Sequence, residues 1–439
     1  MSTLSRPVRP PSPDLGYREI LRLFLPLAAT STMMSASVPI INAGLARTPD
    51  PETHLAAFGL AFTLGIFLES PVFAIQQAVV AWYAGSERFA PLVRYSFAVG
   101  FIVFVYESAV AFSPLAPFLF HRLMGANPEL SAAATRTLRV MVVFPVLIAV
   151  RSALQGVLIS RRTTMPIGWG TLLRLSTLAV LIFTVVPNLP GDGPAASMAC
   201  LGGAVVVEMI CMAVFVYRSR PVEGLSSPAR DAGLTKGSRT RFILPLMGMM
   251  ALGTLTNPLI NGFITRTEDP ETGLAVYAVV ASLVWFLASP FLRFSAVTIT
   301  LGTGARALVR LQSFVWRAVG PLTLVLLAVQ FTPLWKVLLG EVMGLSPELT
   351  ERVRAPLLLL SLQPLVAAFI AHNQGILLRS ARTWVIGWGG VNRVGSILAG
   401  GALGLLLGTP GWILGGVLLG LAFLGELAVL VLWRRFRAG

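Results

Sequence analysis

Apolar residues run through this chain in blocks long enough to cross about 30 Å of hydrocarbon, and Arg, Asp, Glu, Pro and Gly collect in the short stretches between them. The blocks predict about twelve membrane-spanning helices. In the first half they fall near 21–45, 55–83, 92–120, 135–158, 165–187 and 194–217, and in the second near 240–264, 274–300, 311–339, 354–377, 384–407 and 411–433. An all-α polytopic membrane protein is expected.

The second set of blocks repeats the first. PIINAGLARTPDPET at 39–53 returns as PLINGFITRTEDPET at 258–272, 219 positions later and with nine identities. The same offset carries Pro26 to Pro245, Pro71 to Pro290, Pro145 to Pro364, Gln155-Gly156 to Gln374-Gly375, IGWG at 167–170 to IGWG at 386–389, and Arg174 to Arg393. Two homologous six-helix bundles therefore form a parallel tandem repeat. An even number of helices in each gives both the same orientation, about a pseudo-twofold axis along the membrane normal. The expected organisation is a disordered tail at 1–19, a bundle at 20–217, a linker at 218–240 and a second bundle at 241–434. The cleft between the bundles is the natural path for a solute.

Composition agrees: 55% of residues are hydrophobic and only 12% charged, with a mean hydropathy of +0.78, which excludes a soluble globular domain. The net charge of +15 follows topology. With the N-terminus inside, Arg6, Arg9, Arg18, Arg22, Arg88, Arg94, Arg161, Arg162, the basic 218–241 connector, Arg306, Arg310, Arg379, Arg382, Arg434, Arg435 and Arg437 all fall on the cytoplasmic side, as the positive-inside rule requires. Outer loops keep few basic residues, among them Arg47 and Arg266, mostly beside acids. Both termini are expected in the cytoplasm and the protein in the plasma (inner) membrane. A nucleic-acid partner is not expected, since it would need the charge on one soluble face. The Pro-rich start is not followed by a cleavable signal pattern. Cys200 and Cys211 lie on one predicted helix, roughly 16 Å apart at its rise, too far for a disulfide. No nucleotide-binding G-x-x-x-x-G-K-[ST] is present and His54, His121 and His372 are scattered, so no enzyme, cofactor or metal site is expected.

LAAFGLAFTLGIFLESP at 55–71, the segments around Asn42 and Asn261, FP at 144–145, AHNQGIL at 371–377, VNRV at 391–394 and FLGE at 423–426 resemble the progressive ankylosis protein family over nearly the whole chain. The resemblance implies membership of the MATE-like superfamily of multidrug, oligosaccharidyl-lipid and polysaccharide exporters. It also implies two six-helix bundles around a central cavity, and export of small polyanions of the pyrophosphate, nucleotide or citrate class. AVTITLGTG at 296–304 departs from the family, whose animal members are polar there.

Ionisable groups inside a bilayer are costly and mark functional candidates. Arg174 and Arg393 face two readings: paired guanidinium forks for an anion, or ion pairs with Glu208 and Glu426 that hold each bundle together. Arg151 and Gln155, one helical turn apart, and His372, Asn373 and Gln374 in the matching span are expected to line the cavity and contact substrate. Glu69 and Arg293 flank the matched prolines Pro71 and Pro290 and are candidates for a gate, for coupling or for substrate contact. His372 is a further coupling candidate because it titrates near neutrality. Asn42 and Asn261 stand three residues after Pro39 and Pro258, on helices that face the cavity in the fold resembled. Glu107, Arg139 and Lys336 read as interfacial or structural. The reading is a secondary transporter exporting small anions, coupled to a proton or sodium ion, within a lipid bilayer. A cation-coupled multidrug extruder, a lipid-linked saccharide flippase and a non-transporting scaffold stay open.

Overall fold

The computed structural model describes residues 15–82, 89–160, 165–188, 192–218, 247–248, 250–251, 253–302, 304–379 and 383–436. Most of the expected tail and almost all of the expected linker lie outside these residues.

The first half runs through α1 (Tyr17–Ser35), α2 (Ser37–Leu45), α3 (Pro51–Glu69), α4 (Ala74–Trp82), α5 (Phe89–Ala111), α6 (Pro128–Met141), α7 (Phe144–Ser160), α8 (Met165–Val185) and α9 (Gly193–Arg218). The second runs through α10 (Thr256–Ile264), α11 (Pro270–Leu292), α12 (Phe294–Leu301), α13 (Ala305–Phe314), α14 (Gly320–Val329), α15 (Pro347–Leu359), α16 (Gln363–Arg379), α17 (Thr383–Leu406) and α18 (Gly411–Phe436). No strand occurs among the described residues. Nine of the helical stretches there are long and apolar enough to cross a membrane, and α6 with α7 makes a tenth, bent by 41°. The bend falls just before Phe144-Pro145, where proline removes a backbone donor. By the repeat, α17, which carries Asn392 and Arg393, matches α8, and α10 matches α2.

Local sequence explains the helix starts. Asp50, Asn127 and Ser346 each precede a helix that begins with proline, and each accepts a backbone N–H from the first turn. This is N-capping with proline at the first helical position. Gly125 and Gly344, repeat mates, hold φ of 76° and 77°, a region that other residues enter only at a cost. Each reverses the chain between a wide π-type turn (Phe118–Leu123, Val337–Val342) and the next capped helix.

The bundles meet along α3 and α11. These cross where Gly59 faces its own repeat mate: a Cβ on Gly59 would lie 3.1 Å from the Cβ of Ala278. The crossing therefore sits on the pseudo-twofold axis. Past it the chain turns at Ser70–Phe73 into α4, and α11 bends at Arg293 into α12. These continuations diverge, with α4 packing on α7 and α12 on α16 inside their own bundles.

The first half of α1 leaves its own bundle, and Ile20, Phe24 and Ala28 join Phe291, Phe294, Val297, Leu311, Phe314 and Ala368 of the second half in a separate apolar core. Phe24 stacks on Phe291 and meets Phe294 and Phe314 edge-on.

Candidate functional site

At the end that carries residues 46–50 and 265–269, the seam is closed by contacts that come in pairs related by the repeat. Asn42 on α2 donates to Ser282 Oγ at 2.8 Å and to the Ala278 carbonyl at 3.1 Å. Its mate Asn261 on α10 donates to Thr63 Oγ1 at 2.8 Å. Thr272 donates to Glu52 at 2.7 Å, and Thr53 to the mate of that glutamate, Glu271, which also receives the amide of Asn127. Arg47 reaches across to the carbonyls of Val342 (2.7 Å) and Met343 (2.8 Å), and Arg266 returns the contact to Leu123 (2.6 Å). Those carbonyls end the wide turns, where backbone acceptors have no partner within the helix, and a guanidinium fork can satisfy more than one. Gly344 makes room for this: a Cβ there would lie 2.8 Å from the Arg47 guanidinium carbon.

Each bundle also encloses a carboxylate. Glu208 on α9 is fully buried and takes Arg151 at 3.2 Å, Arg174 at 3.5 Å and the Thr171 hydroxyl at 3.2 Å. Glu426 on α18 pairs with Arg393 and accepts from Gln374 at 2.9 Å. Arg393 also lies 4.8 Å from the centre of the Phe423 ring. The IGWG repeats become intelligible here, because Gly170 and Gly389 lie directly under the glutamate stems, at 3.4 and 3.2 Å from an added Cβ.

Toward the other end the seam carries Arg293, at the bend between α11 and α12. It is exposed, and its Nε donates to Ser31 Oγ on α1 at 3.4 Å. Among the described residues no carboxylate pairs with it. Of the carboxylates in the spans, Glu69, Glu107, Glu208 and Glu426 are buried, and Glu19, near the start of α1, is exposed.

The structure places several of the candidate residues away from the seam. Arg151, Gln155, His372, Asn373 and Gln374 do not line the seam but point into their own bundles. Arg151 meets Glu208, Gln155 accepts from Gln76 at 3.1 Å, and Gln374 meets Glu426. His372 contacts the Thr298 hydroxyl at 3.1 Å, and Asn373 accepts from Arg434 at 3.1 Å. His372 and Asn373 line a crevice of about 470 Å³ within the second half. The reason is energetic: an arginine or carboxylate in hydrocarbon surroundings needs a partner, and the nearest partners lie on helices of the same bundle. Glu69 and Arg293 do not meet, since Glu69 is buried within electrostatic reach of Arg151 instead. Asn42 and Asn261 do face the seam, but at its closed end. Arg47 and Arg266 bind backbone carbonyls, and Glu107, read as interfacial or structural, is buried. The reciprocal clasp was not expected, although the matched Arg, Glu and Thr in the two quoted stretches carry it.

Two bundles related by sequence repeat, meeting at one pair of helices and tied at one end, make a MATE-like fold. A multidrug resistance MATE family transporter in its inward-facing conformation is similar over 94% of this chain and 97% of its own, with 18% identity and a TM-score of 0.70. An outward-facing structure of such a transporter gives 17% identity over 95% of both chains and a TM-score of 0.55. The lipid II flippase MurJ, inward closed, gives 12% identity over 93% of this chain and 87% of its own, with a TM-score of 0.65. The sequence model described as progressive ankylosis protein (ANKH) matches residues 11–267. The chain belongs to the progressive ankylosis protein family.

Proposed function

We propose that this protein is a secondary transporter that exports a small organic or phosphate-bearing anion, of the pyrophosphate, nucleotide or citrate class, by alternating access between its bundles. The observation that carries the reading is Arg293. It is an exposed guanidinium at the seam with no carboxylate partner among the described residues, whereas Glu69, Glu107, Glu208 and Glu426 are buried. A planar fork of N–H donors suits phosphate or carboxylate oxygens, and the mid-span carboxylates that a cationic drug would need, Glu69, Glu107, Glu208 and Glu426, are buried. The tied end is extracytoplasmic and both termini are cytoplasmic, in a plasma membrane. The distribution of basic residues supports this, as does the higher similarity to an inward-facing than to an outward-facing relative.

The test is flux of labelled citrate, ATP and pyrophosphate in proteoliposomes. Anion flux is expected, with Arg293→Gln lowering it about tenfold or more, since a charge-assisted hydrogen bond is worth about 1.5–3 kcal/mol. Arg293→Lys should retain part of it. Transport of a cationic dye or scrambling of a lipid-linked saccharide, without anion flux, overturns the reading.

A further inference from the structure

Two carboxylates in the first bundle have no role in the clasp or in the ion-pair networks. Glu69 is the last residue of α3, where the seam helix breaks into the short turn Ser70–Phe73. Glu107 is on α5, and the hydroxyl of the adjacent Tyr106 donates to the Leu68 carbonyl, pinning α5 to the end of α3. The two are 1% and 0% exposed. Neither oxygen of Glu107 nor Oε2 of Glu69 has a hydrogen-bond partner among the described residues. Glu69 lies within electrostatic reach of both Glu107 and Arg151.

Two ionised carboxylates with three oxygens unpartnered among the described residues would be strongly unfavourable in such a place, and like charges in one site favour holding a single proton between them. The surrounding charges set how many protons are held. Among the described residues, the titratable and charged groups facing the pair are Tyr106 on α5 and Arg151 on α7, the latter linked through Glu208 to Arg174 on α8. Arg139 on α6 turns away to the Ala111 carbonyl and the Phe112 ring. Arg151 and Arg174 against Glu208 leave one positive charge in excess, which one further carboxylate balances.

We infer that Glu69 and Glu107 form a proton-binding pair, with one carboxyl ionised against the surplus guanidinium charge and the other protonated. A metal cation is a poorer occupant. It needs a shell of several oxygen ligands, but the Tyr106 hydroxyl and the Leu68 carbonyl are already engaged with each other, and the Arg151 charge opposes it. The step is a simple transfer: a proton from water forms one carboxyl O–H bond and later returns to water, and no other bond changes. The site belongs to the first half alone, because the repeat positions are Ala288 and Leu326. Its position at the break in α3 puts the proton on the hinge of the seam helix. Its use in coupling rests on the transport reading, but the shared proton does not.

Infrared difference spectroscopy tests it on the full-length protein in lipid bilayers, with Glu69→Gln/Glu107→Gln as the reference. At neutral pH the wild type is expected to show the C=O stretch of one protonated carboxyl. Glu69→Gln and Glu107→Gln should each abolish it alone, because the remaining carboxylate then balances the surplus charge. Exchange of choline for sodium should leave it unchanged. Absence of the band in the wild type, half the intensity in each single variant, or loss on adding sodium each overturns the inference. If a single variant fails to fold, titration of the wild-type band decides: amplitude for one carboxyl supports the shared proton, and amplitude for two refutes it.

Discussion

Replacing Asn42 by Ala removes two inter-bundle hydrogen bonds, whereas replacing its repeat mate Asn261 removes one. The structure makes the size of each effect calculable, because no partner is stranded by the change. Ser282 Oγ still donates to the Val279 carbonyl at 2.8 Å, and Thr63 Oγ1 to the Gly59 carbonyl at 2.9 Å. The loss is then the net value of the bond and not the larger penalty of a buried, unpaired group. Such bonds between membrane helices average about 0.6 kcal/mol. Asn42→Ala should therefore weaken the tied state by about 1.2 kcal/mol and Asn261→Ala by about 0.6 kcal/mol. At 1.4 kcal/mol per decade these are increases of about sevenfold and about threefold in the ratio of open to closed molecules. Spin labels at Glu129 and Glu348, exposed repeat mates on opposite bundles beyond the clasp, report that ratio by double electron–electron resonance. A longer-distance population should grow in both variants, and more in Asn42→Ala. Unchanged distances, or a larger effect from Asn261→Ala, would refute the reasoning.

Glu208→Gln leaves Arg151 and Arg174 buried beside a neutral amide and should destabilise the protein by about 3–5 kcal/mol, seen as a large fall in the thermal midpoint. The apolar triple replacement Arg151→Met/Arg174→Leu/Glu208→Leu should recover much of it. Gly125→Ala and Gly344→Ala force a Cβ into the left-handed region and should each cost about 1–2 kcal/mol. Gly344→Ala should cost more, because it also displaces Arg47. Thermal melts of the two variants check the order.

The repeat made the fold readable. An unbroken offset through prolines, glycines and capping residues gives helix number, pairing and a twofold axis before any contact is known. Which way each helix faces is another matter. A span that is apolar all round carries no signal separating its bundle side from its lipid side, so Arg151, Gln155, His372, Asn373 and Gln374 were placed on the seam when they are interior. Arg174 with Glu208 and Arg393 with Glu426 were legible because a buried charge demands an opposite one at similar depth. The reach of Arg47 and Arg266 was not, because their acceptors are main-chain carbonyls freed by wide turns, which side-chain types do not advertise.

The displaced start of α1 bears on biosynthesis. Ile20, Phe24 and Ala28 are among the first residues to leave the ribosome, yet the surface they settle on reaches to Ala371. At about 5–20 residues per second, this apolar segment waits on the order of tens of seconds for a place to dock. A nascent chain cut off before α11 would leave that helix beside lipid or translocon. The first helix made is then captured only after the second half has begun to emerge.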